Sequence, residues 1–121
     1  RTVSIRIPAN NGPDMRIEHR LAGADANPYL LVSAMLAGIH YGLITKTEPP
    51  APVGGNAYLQ TDTELPLTWE KAKNYFDHAK ILPEYFGKEF CQLFSNLKLG
   101  EQNRFMSKIA PLEYDWYLKT V

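Results

Sequence analysis

Cysteine is nearly missing: Cys91 stands alone. A single thiol excludes an internal disulfide framework and suits a reducing compartment, so the expected location is cytoplasmic. Its neighbours Phe90, Leu93 and Phe94, with no basic partner adjoining, make it a core thiol rather than a reactive one. Neither sign of charge prevails, since 13 Lys plus Arg meet 13 Asp plus Glu. That balance argues against a general binder of nucleic acid or acidic membrane, which needs a net basic field. No basic segment leads into an apolar one, so no secretory signal is expected. The longest apolar run, Tyr29 to Ile44, is interrupted by Ser33 and His40 and is shorter than the ~20 residues of a membrane span. There is no glycine-rich phosphate loop, no Ser/His/Asp arrangement and no Cys-x-x-Cys pair. Repeats and low-complexity tracts are lacking too.

What is present fits one domain. At 121 residues roughly two thirds of the unfolded surface can be buried on folding. Thr2-Val3-Ser4-Ile5-Arg6-Ile7 alternates polar with apolar and stops at Pro8, as a half-buried strand does. Asn10-Asn11-Gly12-Pro13-Asp14 is a turn. Residues 15–21 alternate again and are expected to pair back, making 1–21 an antiparallel hairpin. Asn27 is a strong N-cap and Pro28 brings a preset φ at the first helical position. From Tyr29 onward Leu30, Leu31, Val32, Met35, Leu36, Ile39 and Leu43 cover nearly the whole circumference. The spacing therefore predicts a helix over 27–44 buried on all sides, by protein beyond this sequence or by neighbouring subunits. Residues 45–67, rich in Pro and Gly from Glu48 to Asn56, read as loop. Residues 68–121 read as helical. Thr68 caps a helix with Trp69, Ala72, Phe76 and Ala79 on one face, and a second helix follows Pro83 from about Tyr85 or Gly87. That helix carries Phe86, Phe90, Phe94, Leu97, Phe105 and Ile109, weakened at Gly100 and broken by Pro111, before a last turn or two over 113–119. The fold class is α+β, a hairpin first and helices afterwards.

Chemistry gathers on the second strand. Side chains two apart share a strand face, so Arg16, Glu18 and Arg20 point one way while Ile17, His19 and Leu21 point the other. Guanidinium forks match phosphate and carboxylate oxygens in pairs. A carboxylate between two forks can accept both, or can hold a hard divalent cation that bridges phosphate oxygens. Arg6 and Ser4 lie on the polar face of the paired strand. Arg1 has the opposite parity and joins only if the chain bends. Against this stands a plain surface ion-pair ladder, which solvent screens and which contributes little. Spacing alone leaves both readings open. His19 reads as a hydrogen-bonded core or interface histidine, and His40 and His78 as single helical histidines, because no second ligand is spaced to join any of them.

The residues Arg1, Arg6-Ile7-Pro8, Arg16-Ile17-Glu18-His19-Arg20 and Ala26-Asn27-Pro28-Tyr29-Leu30 resemble the C-terminal part of the glutamine synthetase family. Its pattern there is Asn-Arg-Ser-Ala-x-x-Arg-Ile-Pro, Arg-x-Glu-x-Arg and Ala-Asn-Pro-Tyr-Leu, in this order and at nearly this spacing. Looser agreement extends over the whole sequence, through Gly55 to Tyr58, Phe86 to Phe90, Lys98 and Glu101. The stretch from His19 to Tyr29 is most similar to the gamma-glutamylpolyamine (glutamate–putrescine) ligase branch. The resemblance implies ATP-dependent amide ligation: glutamate's γ-carboxylate takes the γ-phosphoryl group, and an amine then displaces phosphate. By position, Glu18 matches a ligand of Mg²⁺ or Mn²⁺. Arg20 matches the arginine holding glutamate and the transferring group, Arg6 and Arg16 match arginines facing nucleotide phosphates, and Arg1 matches one near both glutamate and phosphate.

The same resemblance implies a homo-oligomeric ring with small-molecule substrates, glutamate and an amine, and the charge balance adds the expectation of no nucleic-acid or membrane partner. It also implies further active-site segments outside this sequence, so 1–121 alone is expected to be an inactive fragment of the catalytic domain. Two departures matter. The turn between Arg6 and Arg16 is one residue shorter than in common bacterial members and lacks a lysine found there. Tyr58 lacks the Asn-Leu-Tyr-Asp-Leu-Pro context of members adenylylated nearby, so regulation there is not expected. Three rivals remain: an ammonia-using glutamine synthetase, a non-catalytic structural relative, and a stand-alone helical module.

Overall fold

The computed structural model describes residues 3–8, 12–59 and 65–120. Its elements run β1 (Ile5–Arg6), β2 (Glu18–His19), α1 (Pro28–Thr45), a 3-10 turn at Ala57–Leu59, α2 (Trp69–Asp77), α3 (Leu82–Phe86), α4 (Lys88–Met106) and α5 (Pro111–Tyr117). This is the α+β order that the patterning predicts. The chain divides into two compact units, Arg1–Glu64 and Leu65–Val121.

In the first unit the strands pair antiparallel, Ile5 opposite His19 and Arg6 opposite Glu18. The Arg20 N–H donates to the Ser4 carbonyl at 2.9 Å, so the register extends one step past the ladder. The ladder is much shorter than the alternation predicts. Pro8 has no N–H to donate, and the apolar face that would drive a longer pairing is uncovered, with Ile5, Ile7 and Ile17 all exposed. A two-stranded ribbon lacking a covered face gains little from added pairs.

The start of α1 forms as its sequence dictates. Asn27 Oδ1 accepts from the N–H groups of Tyr29 at 3.0 Å and Leu30 at 3.2 Å, with Pro28 at the first position. At the other end Lys46 turns left-handed, φ 53°, and its N–H closes on the Gly42 carbonyl. Ser33 and Thr45 donate their hydroxyls back to the carbonyls of Tyr29 and Tyr41, each at 2.7 Å. Their polarity is thus satisfied within the helix.

Burial departs from expectation. Within α1 only Ala37 is buried, while Tyr29 is 83% and Leu43 73% exposed. The cover that an all-apolar helix requires is not supplied by the described residues. At 18 residues α1 is also long and apolar enough to cross a membrane by length and composition. The argument from length against a span therefore does not hold.

The second unit is organised around aromatics. Thr68 Oγ1 accepts the Lys71 N–H at 3.2 Å and opens α2. α2 packs against α4 through Phe76 on Phe94, centroids 5.2 Å apart, and Trp69 on Phe105 at 6.2 Å. Asp77 ties Lys73 at 2.6 Å and takes the Ser95 hydroxyl from α4. These hydrogen bonds, Lys73's first, hold the Asp77 carboxyl below its ordinary range despite partial desolvation.

Of the two starts expected for the helix reaching Ile109, about Tyr85 or Gly87, the second is close to the start of α4 at Lys88, and Phe86 belongs to a separate short helix. α3 already starts at Leu82 and takes Pro83 into its first turn, where the missing N–H costs nothing. Gly87, at φ 83° and ψ 147°, ends it and opens α4. Only glycine enters that region without strain. α4 runs unbroken through Gly100 and stops at Met106, leaving Ile109 outside. Pro111 begins α5 rather than merely ending its predecessor. His78 and Ala79 lie just beyond α2.

Candidate active site

The polar face of the hairpin brings three of the expected side chains together. Arg6 faces Glu18 across the ladder, and Arg16 precedes Glu18 by two on the same side. Arg6 Nη1 donates to both Glu18 oxygens, at 3.2 Å to Oε1 and 3.0 Å to Oε2. Arg16 Nη2 donates to Oε1 at 3.2 Å, and its Nη1 reaches the Asp14 carbonyl at 3.4 Å. The Arg6 and Arg16 side chains are 50% and 55% exposed, and that of Glu18 is 26% exposed. The cluster is an open, cationic patch with a half-shielded carboxylate at its centre.

Arg20 follows directly after β2, is exposed, and makes no ion pair with a described residue. Arg1 lies outside the described residues. His19, on the other face, has its Nδ1 shielded from solvent without a hydrogen-bond partner among the described residues. Of the two alternatives expected, a hydrogen-bonded core or interface histidine, the described residues supply no partner for a core one. The Asp14 carbonyl, which steadies Arg16, carried no signal in the sequence, because a backbone acceptor has no residue signature.

The Arg6 hydrogen bonds hold the Glu18 carboxyl below its ordinary value of 4.5, with Arg6 and Arg16 charge adding and partial desolvation opposing. A depressed folded value means that the pair stabilises the fold fully above the ordinary pKa and loses that contribution as pH falls through the lowered one. Glu18 is therefore an anion at neutral pH. Arg6→Gln is expected to move the Glu18 pKa upward, toward 4.5. A ¹³C carboxyl titration of selectively labelled protein measures it, and an unmoved pKa would show that Arg6 is not its chief partner.

The donor set suits a hard divalent cation as far as it goes. A carboxylate offers about four lone-pair positions, and the guanidiniums occupy three, leaving Oε2 with one open. Mg²⁺ is commonly held by one or two carboxylates, substrate phosphates and water. No cluster of three or more His, Cys, Asp or Glu occurs among the described residues, so Glu18 would be one ligand of a set. Elsewhere, a cleft of about 250 Å³ between α2 and α4, lined by Trp69, Ala72, Phe76 and Phe94, is apolar. Its lysines are already engaged, Lys73 by Asp77 and Lys98 by Glu101.

The sequence that carries the Arg6, Arg16 and Glu18 cluster and the Asn27-Pro28 helix start falls in a known class of proteins. The chain matches glutamine synthetase, catalytic domain, over residues 1–117. It belongs to the glutamine synthetase family. Among curated relatives it is 37% identical over 119 residues to gamma-glutamylputrescine synthetase of Escherichia coli (strain K12), covering 98% of this chain and 25% of that protein. It is 33% identical over 124 residues to glutamate–isopropylamine ligase of a Pseudomonas species, covering 100% and 27%. Gamma-glutamylethanolamide synthetase of Streptomyces coelicolor is 30% identical over 119 residues, covering 98% and 25%. Glutamine synthetase of Clostridium saccharobutylicum is 28% identical over 126 residues, covering 98% and 28%. The chain spans about a quarter of the length of the curated relatives it matches.

Proposed function

We propose that this chain supplies part of the active site of an ATP-dependent glutamate–amine ligase that forms a γ-glutamyl amide through γ-glutamyl phosphate. The acceptor is an alkylamine, with a polyamine such as putrescine first in line. The observation that carries this reading is the convergence of Arg6 and Arg16 on Glu18. Phosphoryl transfer asks the protein mainly for positioning and charge neutralisation, and two forks with one carboxylate supply both.

In this reading Glu18 is one ligand of Mg²⁺ or Mn²⁺, whose charge would neutralise that building on the phosphates. Arg6 and Arg16 hold ATP phosphates. Arg20, the guanidinium not engaged by Glu18, holds glutamate and the transferring group, and Arg1 joins it by sequence position. Glutamate's γ-carboxylate oxygen bonds to the γ-phosphorus as the bond to ADP breaks. The amine nitrogen then bonds to the acyl carbon as phosphate leaves, and the amine loses a proton. The protein works in the cytoplasm as a homo-oligomeric ring, in which α1 is covered by the remaining catalytic domain and neighbouring subunits.

Acceptor competition in the intact protein tests this. With glutamate, ATP and Mg²⁺, kcat/KM for putrescine is expected to exceed that for ammonia by about tenfold or more, since the site would bind the acceptor's methylenes. Isopropylamine and ethanolamine belong in the same series, with the amide products identified by mass spectrometry. Ammonia in the lead would instead favour a glutamine synthetase, a reading supported by the matches to such enzymes. Failure of every acceptor to yield an amide would point to a non-catalytic relative.

A further inference from the structure

Between Glu18 and Arg20 lies a side chain that the proposed reaction does not use. His19 stands opposite Ile5 in the ladder, and strand alternation sends it to the face away from Glu18 and Arg20. Its Nδ1 is the one shielded side-chain nitrogen or oxygen among the described residues that lacks a hydrogen-bond partner. Native proteins rarely leave a shielded polar atom unpaired, because it loses bulk water without a replacement. Its companions on that face, Ile5, Ile17 and Leu21, are exposed. His19 is thus the polar point of an otherwise apolar surface.

Its position matters because the pairing around it is weak. The ladder is two residues long. A one-residue slip of β2 would carry Glu18 and Arg20 to the apolar face and His19 to the polar one. Contacts of isoleucine and leucine resist such a slip poorly, since apolar burial has no direction. The Arg6 and Arg16 ion pairs add little, because both guanidiniums are about half exposed and solvent screens them. A hydrogen bond to a ring nitrogen is directional, so it is made in one register only.

We infer that His19 is a positioning residue: a polar group of the protein covering this face bonds Nδ1 and so fixes the direction of Glu18 and Arg20. The cover is the remaining catalytic domain, since the chain spans about a quarter of the length of its relatives. The inference rests on the ligase reading for what Glu18 and Arg20 do, and adds how they are aimed. His19 itself touches neither metal nor substrate. It acts from behind, as the groups that orient metal ligands do.

The test compares three variants of the intact protein. His19→Asn keeps a polar atom at the Nδ1 position, His19→Gln moves it to the Nε2 position, and His19→Leu keeps neither. The Gln and Leu variants are each expected to raise the KM for glutamate and the Mn²⁺ concentration for half-maximal rate about tenfold, the lower end for loss of an orienting partner. His19→Asn is expected to stay within about twofold of wild type in both, because it keeps the hydrogen bond. Asn and Gln variants that behave alike, or a harmless Leu, would overturn the assignment to Nδ1. So would a lower Tm and active fraction with both constants unchanged, which is how a merely structural side chain behaves. Wild-type protein that forms no amide would sink the ligase reading instead. Mn²⁺ affinity by electron paramagnetic resonance would then decide the inference: Asn near wild type with Gln and Leu weaker supports it, and any other order overturns it.

Discussion

Glu18→Ala in the intact protein is expected to lower amide-forming turnover about 10³-fold at saturating Mg²⁺ or Mn²⁺, the scale of losing a metal ligand at a phosphoryl-transfer centre. The metal concentration giving half-maximal rate should rise as well, since an oxygen ligand is gone. The rival reading, in which Arg6, Glu18 and Arg16 form only a surface ladder, makes a different forecast. Exposed ion pairs contribute so little that their loss changes rates by no more than about fivefold. The two forecasts differ by more than two orders of magnitude, so ordinary steady-state kinetics separates them. Glu18→Gln keeps the size of the side chain but drops its charge, and should be nearly as poor in turnover as the alanine variant.

Arg20→Ala is expected to lower kcat/KM for glutamate about 10³-fold, at the lower end of what an arginine at transferring phosphate supplies. Arg20→Lys keeps the charge but loses the planar fork, and should still fall about 10²-fold. ATP affinity in Mg²⁺ should stay within about twofold in both variants, because the nucleotide contacts are assigned to Arg6 and Arg16. The reasoning follows from the observed pairing. Arg6 and Arg16 are drawn to Glu18, whereas Arg20, among the described residues, is tied through its backbone N–H to the Ser4 carbonyl. An Arg20 variant that lost ATP and glutamate binding alike would place this side chain with the nucleotide instead.

Much of this was readable where the determinants are local. Asn27 and Pro28 specify the start of α1 because the cap's hydrogen bonds reach only two and three residues ahead. The same holds for Thr68 and α2. The common face of Arg16 and Glu18 follows from strand geometry, and pairing Arg6 with Glu18 required only that the hairpin close in that register.

Less was readable where one pattern fits two backbones. Phe86, Phe90 and Phe94 keep helical spacing and stack on one another, at 5.6 and 6.0 Å. They do so straight across the Gly87 break, so periodicity hid the end of α3. The strands proved shorter than their alternation because alternation records an apolar face, whereas extended pairing needs that face covered. The same missing cover leaves α1 exposed along a surface that its composition marks for burial. A full ligand set for the proposed cation was not readable, since among the described residues Glu18 is the one carboxylate drawn into the patch.

The most direct test of the account is a crystal structure of the intact protein with ADP and Mn²⁺, using the manganese anomalous signal to locate the ion. The account predicts a manganese peak within about 2.2 Å of a Glu18 carboxylate oxygen, Arg6 and Arg16 turned from Glu18 onto phosphate oxygens, and Arg20 facing the open end of the diphosphate. Manganese bound elsewhere, with Glu18 still held between Arg6 and Arg16 and the nucleotide away from the hairpin, would contradict it.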